Sequence, residues 1–298
     1  MGDERLDKQW QEKGLKTYST PAILGTLEHY GVSVDPRSFR AQAEMFYPLT
    51  IAQSWMNLWK GTGKFARLPA AAVEELWRRL APEILQPLDV VDALTQLLKA
   101  LMQLRQKVDT APVDERFDEM DAALKKLPEP GERRDHFMAE VVMVLSGSLE
   151  TLDLMAEGLA RDGNVKAAER FVGVEEALFP VRKGVSAALV QNAKGERAPA
   201  LSQLEAIAND TGRDDYARMS AVDALMHLKA GEQAMGTLEA LGDKADAAND
   251  GEFLGELDRR WHAMVDGVTG AAQTRAVAGL RKSHERTARF GGHKHHHH

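Results

Sequence analysis

The sequence predicts an all-α protein of about twelve helices. Three observations carry this. Apolar residues recur at spacings of three and four along most of the chain, the period of a helix with one buried face. Pro, Asp or Asn stands where those stripes begin. Sustained apolar–polar alternation, the mark of a half-buried strand, is missing.

Residues 1–19 are charged and unpatterned apart from Trp10 and Tyr18. Thr20-Pro21 reads as an N-cap followed by a first-turn proline, opening a helix striped by Ile23, Leu24, Leu27 and Tyr30. Gly31 closes it as the left-handed residue beyond the last turn. Asp35-Pro36 repeats the start signal ahead of Phe39, Ala43 and Phe46. Pro48 interrupts, and Thr50 restarts a helix with Ile51, Trp55, Leu58 and Trp59 inward, ended by Gly61-Thr62-Gly63. Leu68-Pro69 leads into Val73, Leu76, Trp77 and Leu80. Pro82 and Pro87 punctuate the next junction.

Residues 88–108 carry the cleanest stripe, Val91, Leu94, Leu98, Leu101 and Val108, and burial is expected for its three leucines. Arg105 takes an apolar seat and rules against a sustained coiled coil. A helix with Phe117, Met120, Leu124 and Leu127 follows, and Pro128 and Pro130 mark the strongest break. The expected organisation is therefore an aromatic-rich N-terminal region, 1–128, and a C-terminal helical region, 131–290.

Beyond the break, Phe137, Val141, Val144, Leu145, Leu152, Met155 and Leu159 fit one long helix. Asp162-Gly163-Asn164 forms a turn, Asn164 caps the next helix, and Pro180 splits it. Leu201, Leu204 and Ile207 form one stripe; Tyr216, Met219, Val222, Leu225 and Leu228 form the next; Met235, Leu238 and Leu241 follow Gly231. Two further helices carry Phe253, Leu257, Trp261 and Met264, then Val277, Leu280 and His284.

The stretch 199–241 resembles a HEAT-type helical repeat. The matching residues are Pro199-Ala200-Leu201-Ser202-Gln203-Leu204, the Asp210 turn, Arg218, and Ala221-Val222-Asp223-Ala224-Leu225. The resemblance implies stacked helix pairs, a partial α-solenoid in the C-terminal half, and no activity.

Composition excludes several functions. Lys and Arg number 38 against 45 Asp and Glu, a net charge of -7, which disfavours specific nucleic-acid binding. Cysteine is absent, so disulfides, thiol catalysis and cysteine-based zinc sites are excluded. The longest uncharged run, Met45 to Trp59, falls short of the roughly 20 apolar residues that span a bilayer. The charged start MGDERLDKQW has no apolar core of a signal sequence, and a cytoplasmic protein is expected. Residues 291–298, GGHKHHHH, read as an expression tag.

Catalytic motifs fail. Lys60-Gly61-Thr62-Gly63-Lys64 lacks both the earlier glycine and the following Ser or Thr of a phosphate loop. A calcium loop built on Asp246, Asp250 and Gly251 would put Leu257 where the bidentate Glu belongs. Glu132 and His136 have ligand spacing but sit in an arginine-rich helix start. His29, His227, His262 and His284 have no ligand-spaced partner evident, so neither metal nor other cofactor is expected.

Two features retain functional interest. Residues 1–77 hold ten of the 18 aromatics, including four of the five Trp. They form either an aromatic core or a partner surface made by Trp55, Trp59, Phe65 and Trp77; the surface reading requires at least one of Trp55, Trp59 and Phe65 to be exposed. The second is a C-terminal basic patch, Arg275, Arg281, Lys282, Arg286 and Arg289, suited to an acidic partner or to a solvated helix end. The expected function is that of a non-enzymatic adaptor, regulator or inhibitor presenting a helical surface to another protein. The rival is an all-α enzyme or apolar small-ligand binder with its site in the 39–77 region. A closed cavity with convergent polar groups favours the rival, and an exposed groove favours the adaptor.

Overall fold

A computed structural model describes residues 4–145 and 149–291, with no side chain described at 149 and 150. Among these, every regular element is helical: sixteen α-helices and four 3-10 turns. The sequence reading of about twelve is low because short helices at Trp10–Lys13 and elsewhere lack a full apolar period. The chain divides into two compact units, residues 1–149 and 150–298.

In the first unit the α-helices are α1 (Trp10–Lys13), α2 (Thr20–His29), α3 (Pro36–Met45), α4 (Pro48–Leu58), α5 (Leu68–Leu80), α6 (Pro87–Arg105), α7 (Val113–Lys125) and α8 (Glu132–Val144). Helix α5 packs against α2, α3 and α4, and α6 packs against α7 and α8. The aromatic residues supply the core. Phe39 meets Trp55 at 6.1 Å and Trp77 edge-on at 6.5 Å; Tyr47 meets Trp77 at 6.3 Å and Phe137 edge-on at 5.1 Å between ring centroids.

Helix starts largely follow the sequence. Asp35 caps α3 in a reciprocal pair with Ser38. Ser19, one residue before the expected Thr20, caps α2 by accepting from the Ala22 N–H. Pro48 begins α4 rather than interrupting it, so the helix starts before Thr50. Gly31 is left-handed, as expected, and the Val32 N–H reaches back to the Leu27 carbonyl. Lys107, Lys229 and Asn249 adopt the same backbone region without being glycine, each followed by an N–H bonded to a carbonyl five residues earlier.

In α6 the buried line is Val90, Val91, Leu94, Leu97 and Leu101. Leu98 is only half-buried and Val108 is exposed, so the stripe read from spacing is rotated toward Leu97. The Pro128–Pro130 break lies inside the first unit, because α8 returns to pack on α6 and through Phe137 on Tyr47.

Helix α9 (Leu149–Arg161) enters the second unit, which continues with α10 (Val165–Leu178), α11 (Val185–Ala193), α12 (Arg197–Asn209), α13 (Asp215–His227), α14 (Met235–Ala247), α15 (Gly251–Gly267) and α16 (Gly270–Gly291). The long helix expected through 137–159 is two helices, α8 and α9; residues 146–148 between them lie outside the described set. Asn164 occupies the N-cap position of α10 without a side-chain bond, and Pro180 stops that helix and opens a 3-10 turn. From α10 to α16 each helix packs on its successor, and α11–α13, α13–α15 and α14–α16 also touch. Leu204, Val222, Leu225, Leu238, Leu257 and Trp261 belong to one continuous buried cluster. Arg218, buried, donates from Nε to the Ala208 carbonyl at 2.9 Å and so satisfies the end of α12.

Candidate functional site

Helices α3 and α4 build an open, uncharged groove of about 360 Å³. Val32, Ile51 and Trp55 are buried and make its floor. Phe46 and Leu58 make its walls, with 43% and 57% of their surfaces exposed. Ser33, Gln42, Thr50 and Ser54 add hydroxyl and amide groups to the lining. Met45 and Met56, on the same two helices, are also exposed.

The groove owes its geometry to α8. Tyr47 stands at the N-cap position of α4 and offers no capping bond. Glu140 of α8 takes that role across 90 residues of sequence: it accepts from the Thr50 N–H at 3.1 Å and the Thr50 hydroxyl at 3.1 Å. It also accepts from the Leu49 N–H at 3.2 Å. A buried carboxylate at a helix N-terminus meets both the orphan N–H groups and the positive end of the helix dipole. Arg133, also on α8, donates to the Ala43 and Glu44 carbonyls at the end of α3, and its guanidinium lies 4.5 Å from the Tyr47 ring centroid. One helix thus holds the C-terminus of α3 and the N-terminus of α4 together.

The aromatic residues singled out from sequence lie in or against the core. Trp55 and Trp77 are core residues, and Trp77 donates from its indole N–H to the Ile84 carbonyl. Trp59 and Phe65 are half-buried, pack against Tyr30 at 5.3 and 5.2 Å, and are linked by a 2.9 Å bond from Trp59 Nε1 to the Phe65 carbonyl. None of Trp55, Trp59 and Phe65 is exposed. Large indoles gain most by burial, and the smaller Phe46 and Leu58 occupy the surface of the same region.

Most of the C-terminal basic residues singled out from sequence have partners within the second unit. Arg275 pairs with Glu239 at 2.6 Å, Arg286 with Asp243 at 2.6 Å and Lys282 with Asp243 at 3.6 Å, while Arg289 pairs with Asp246. Helix α16 therefore lays most of its basic face on the acidic face of α14; Arg281 is exposed.

Charged side chains also converge in the second unit. Asp223, His227, Glu256, Arg259 and Arg260 line an open cavity of about 590 Å³. Arg260 grips Asp223 at 2.9 and 3.0 Å and Glu256 at 3.0 Å, Arg259 pairs with Glu256, and His227 meets the buried Glu157 at 2.8 Å. Burial pushes the Asp223 carboxyl up, with Arg260 opposing it. These charges are spent on one another. Deeper in the unit, Glu175 accepts from the Ser186 hydroxyl while its Oε1 has no partner, and burial pushes it up to about 8.

Among the described residues one group could hold a metal ion: Asp258 and His262 on α15 and His284 on α16, whose ligand atoms lie within 4.8 Å of one another. Read locally, His262 and His284 showed no ligand-spaced partner. The signal was the Asp258–His262 spacing of four, which puts both side chains on one helix face.

Comparison of the chain with protein families, curated proteins and solved structures gives no match.

Proposed function

We propose that the chain is a non-enzymatic interaction protein, an adaptor, regulator or inhibitor that seats an apolar segment of another protein between α3 and α4. The observation that carries this is the exposed Phe46–Leu58 pair over a buried apolar floor in a groove without a charged lining residue. Exposed apolar walls on a folded surface mark contact sites. Hydroxyl and amide groups along the lining suit a peptide backbone, whereas an ionic headgroup would find no counter-charge there. The groove's volume of about 360 Å³ matches a few apolar side chains of a peptide and sits near the low end of small-ligand pockets. The exposure of its walls, Phe46 and Leu58, supports the adaptor over an enclosed ligand site.

In this reading the second unit is a scaffold. The succession of contacts between next and next-but-one helices, with Arg218 capping α12, favours a partial α-solenoid of HEAT type.

The test is a photo-crosslinking residue in place of Leu58 in the full chain, expressed in the native host. One protein adduct is expected, mapping to an apolar segment of that partner and lost on Phe46→Asp. Adducts confined to small molecules, or a protein adduct unchanged by Phe46→Asp, would overturn the proposal.

A further inference from the structure

Helices α15 and α16 form an antiparallel pair in close contact, and the closeness has a residue-level cause. A Cβ added at Gly279 would lie 2.4 Å from the Trp261 ring, so only glycine admits the buried indole at this point. That contact draws the next turns together. His262, adjacent to Trp261, and His284, five residues beyond Gly279, come to 4.9 Å between ring centroids in an edge-on arrangement. Asp258, one turn before His262, faces both: its Oδ2 is 3.6 Å from His262 Nε2 and its Oδ1 is 3.3 Å from His284 Nδ1.

We propose that Asp258, His262 and His284 bind one zinc ion. Two ligands at about 2.0–2.1 Å from a tetrahedral ion stand about 3.3–3.4 Å apart; one ligand atom from each of the three residues lies within 4.8 Å of the other two, so small side-chain rotations bring the set to that spacing. Two neutral imidazoles and one carboxylate are a borderline donor set that favours zinc over calcium or magnesium, which prefer oxygen ligands. Among the described residues no lysine or arginine pairs with Asp258, so its charge is left for the ion. The carboxylate is also held from behind: buried Ser283 donates its hydroxyl to Asp258 Oδ1 at 2.8 Å. Such an outer hydrogen bond orients a ligating carboxylate. Asp258 is mostly covered, with 16% of its side chain exposed, while His262 and His284 are open at 54% and 55%. Ions can therefore reach the imidazoles from solvent, which completes the fourth position. Bound there, zinc ties α16 to α15.

The tail histidines compete for the same metal, so the test uses the full chain with His293, His295, His296, His297 and His298 replaced by Ser. Zinc is titrated against a chromophoric chelator, and melting is recorded with zinc and with EDTA. The expected result is one zinc per chain and a zinc-dependent rise in Tm. Asp258→Asn, His262→Ala and His284→Ala each lose at least ten-fold in affinity and lose the Tm rise, while melting like the parent in EDTA. Ser283→Ala weakens binding about ten-fold, and His136→Ala leaves it unchanged. No saturable zinc in the tail-substituted chain, or binding retained by the three ligand variants, would overturn the proposal.

Discussion

Replacing Glu140 with Ala removes the acceptor for two backbone N–H groups and one hydroxyl at the start of α4. A helix N-cap alone contributes about 0.5–2 kcal/mol, and a hydrogen bond to a charged acceptor about 1.5–3 kcal/mol. The three bonds share one carboxylate, and Thr50 is exposed enough for water to recover part of the loss. The expected cost is therefore about 2–3 kcal/mol, less than the sum of its parts. For a unit of this size that lowers Tm by roughly 4–12 °C. Differential scanning calorimetry of the full chain measures it. Glu140→Gln keeps one oxygen acceptor but turns an amide NH₂ toward the helix donors, and should fall between the parent and Glu140→Ala. Thr50→Ala removes only the exposed hydroxyl bond and should cost under about 1 kcal/mol. A Glu140→Ala protein melting within about 1 °C of the parent would show that the cap is not what orders α4. A Glu140→Gln protein as stable as the parent would show that the charge has no role.

Other substitutions test the packing and the buried carboxylates. Leu97→Ala should cost about 2–5 kcal/mol by denaturant titration, and half-buried Leu98→Ala less than half as much; the reverse order would mean that the face of α6 is misassigned. Gly279→Ala improves helix propensity by about 1 kcal/mol but drives a methyl into Trp261, so a net loss of stability is expected, and a gain would contradict the close approach of α15 and α16. Glu175, raised from 4.5 to about 8, binds a proton in the folded state that the unfolded chain has released. Its contribution is fully present below pH 4.5 and is lost as pH rises through about 8, so melting across that window should decline less steeply in Glu175→Gln than in the parent. Equal slopes would place Glu175 in a wetter site.

What the sequence discloses is local. Asp35 with Ser38, and Gly31 after α2, are legible because both ends of the interaction lie within a few residues. Lys107, Lys229 and Asn249 close helices as Gly31 does, yet a lysine carries no signature of a left-handed backbone. Ser19 and Thr20 are equivalent cap residues by type, so only the geometry of the Ala22 N–H separates them. The apolar period runs on from Val141 to Leu152 across Ser146-Gly147-Ser148, and periodicity alone therefore joined α8 to α9.

The proposed α3–α4 groove lies within the aromatic-rich stretch, but its exposed walls are not the residues that aromatic density singled out. Aromatic density pointed to 39–77, but the Trp side chains there gain more from the core than from a surface, and the exposed walls fell to Phe46 and Leu58. Glu140 could not be found at all from local pattern, since a buried Glu in an amphipathic helix has no partner within its own turn and its donors lie about 90 residues away. The pairing of the basic residues was hidden for a different reason. Counting cations over 275–294 ignores Glu239, Asp243 and Asp246, whose spacings of four and three place them along one face of α14. A stack in which α16 also packs on α14 brings those two faces together, so the complement to the basic helix is internal. That internal pairing gives most of the basic residues of α16 a partner inside the second unit, so a count of cations over 275–294 overstates the positive charge that an outside partner would meet there.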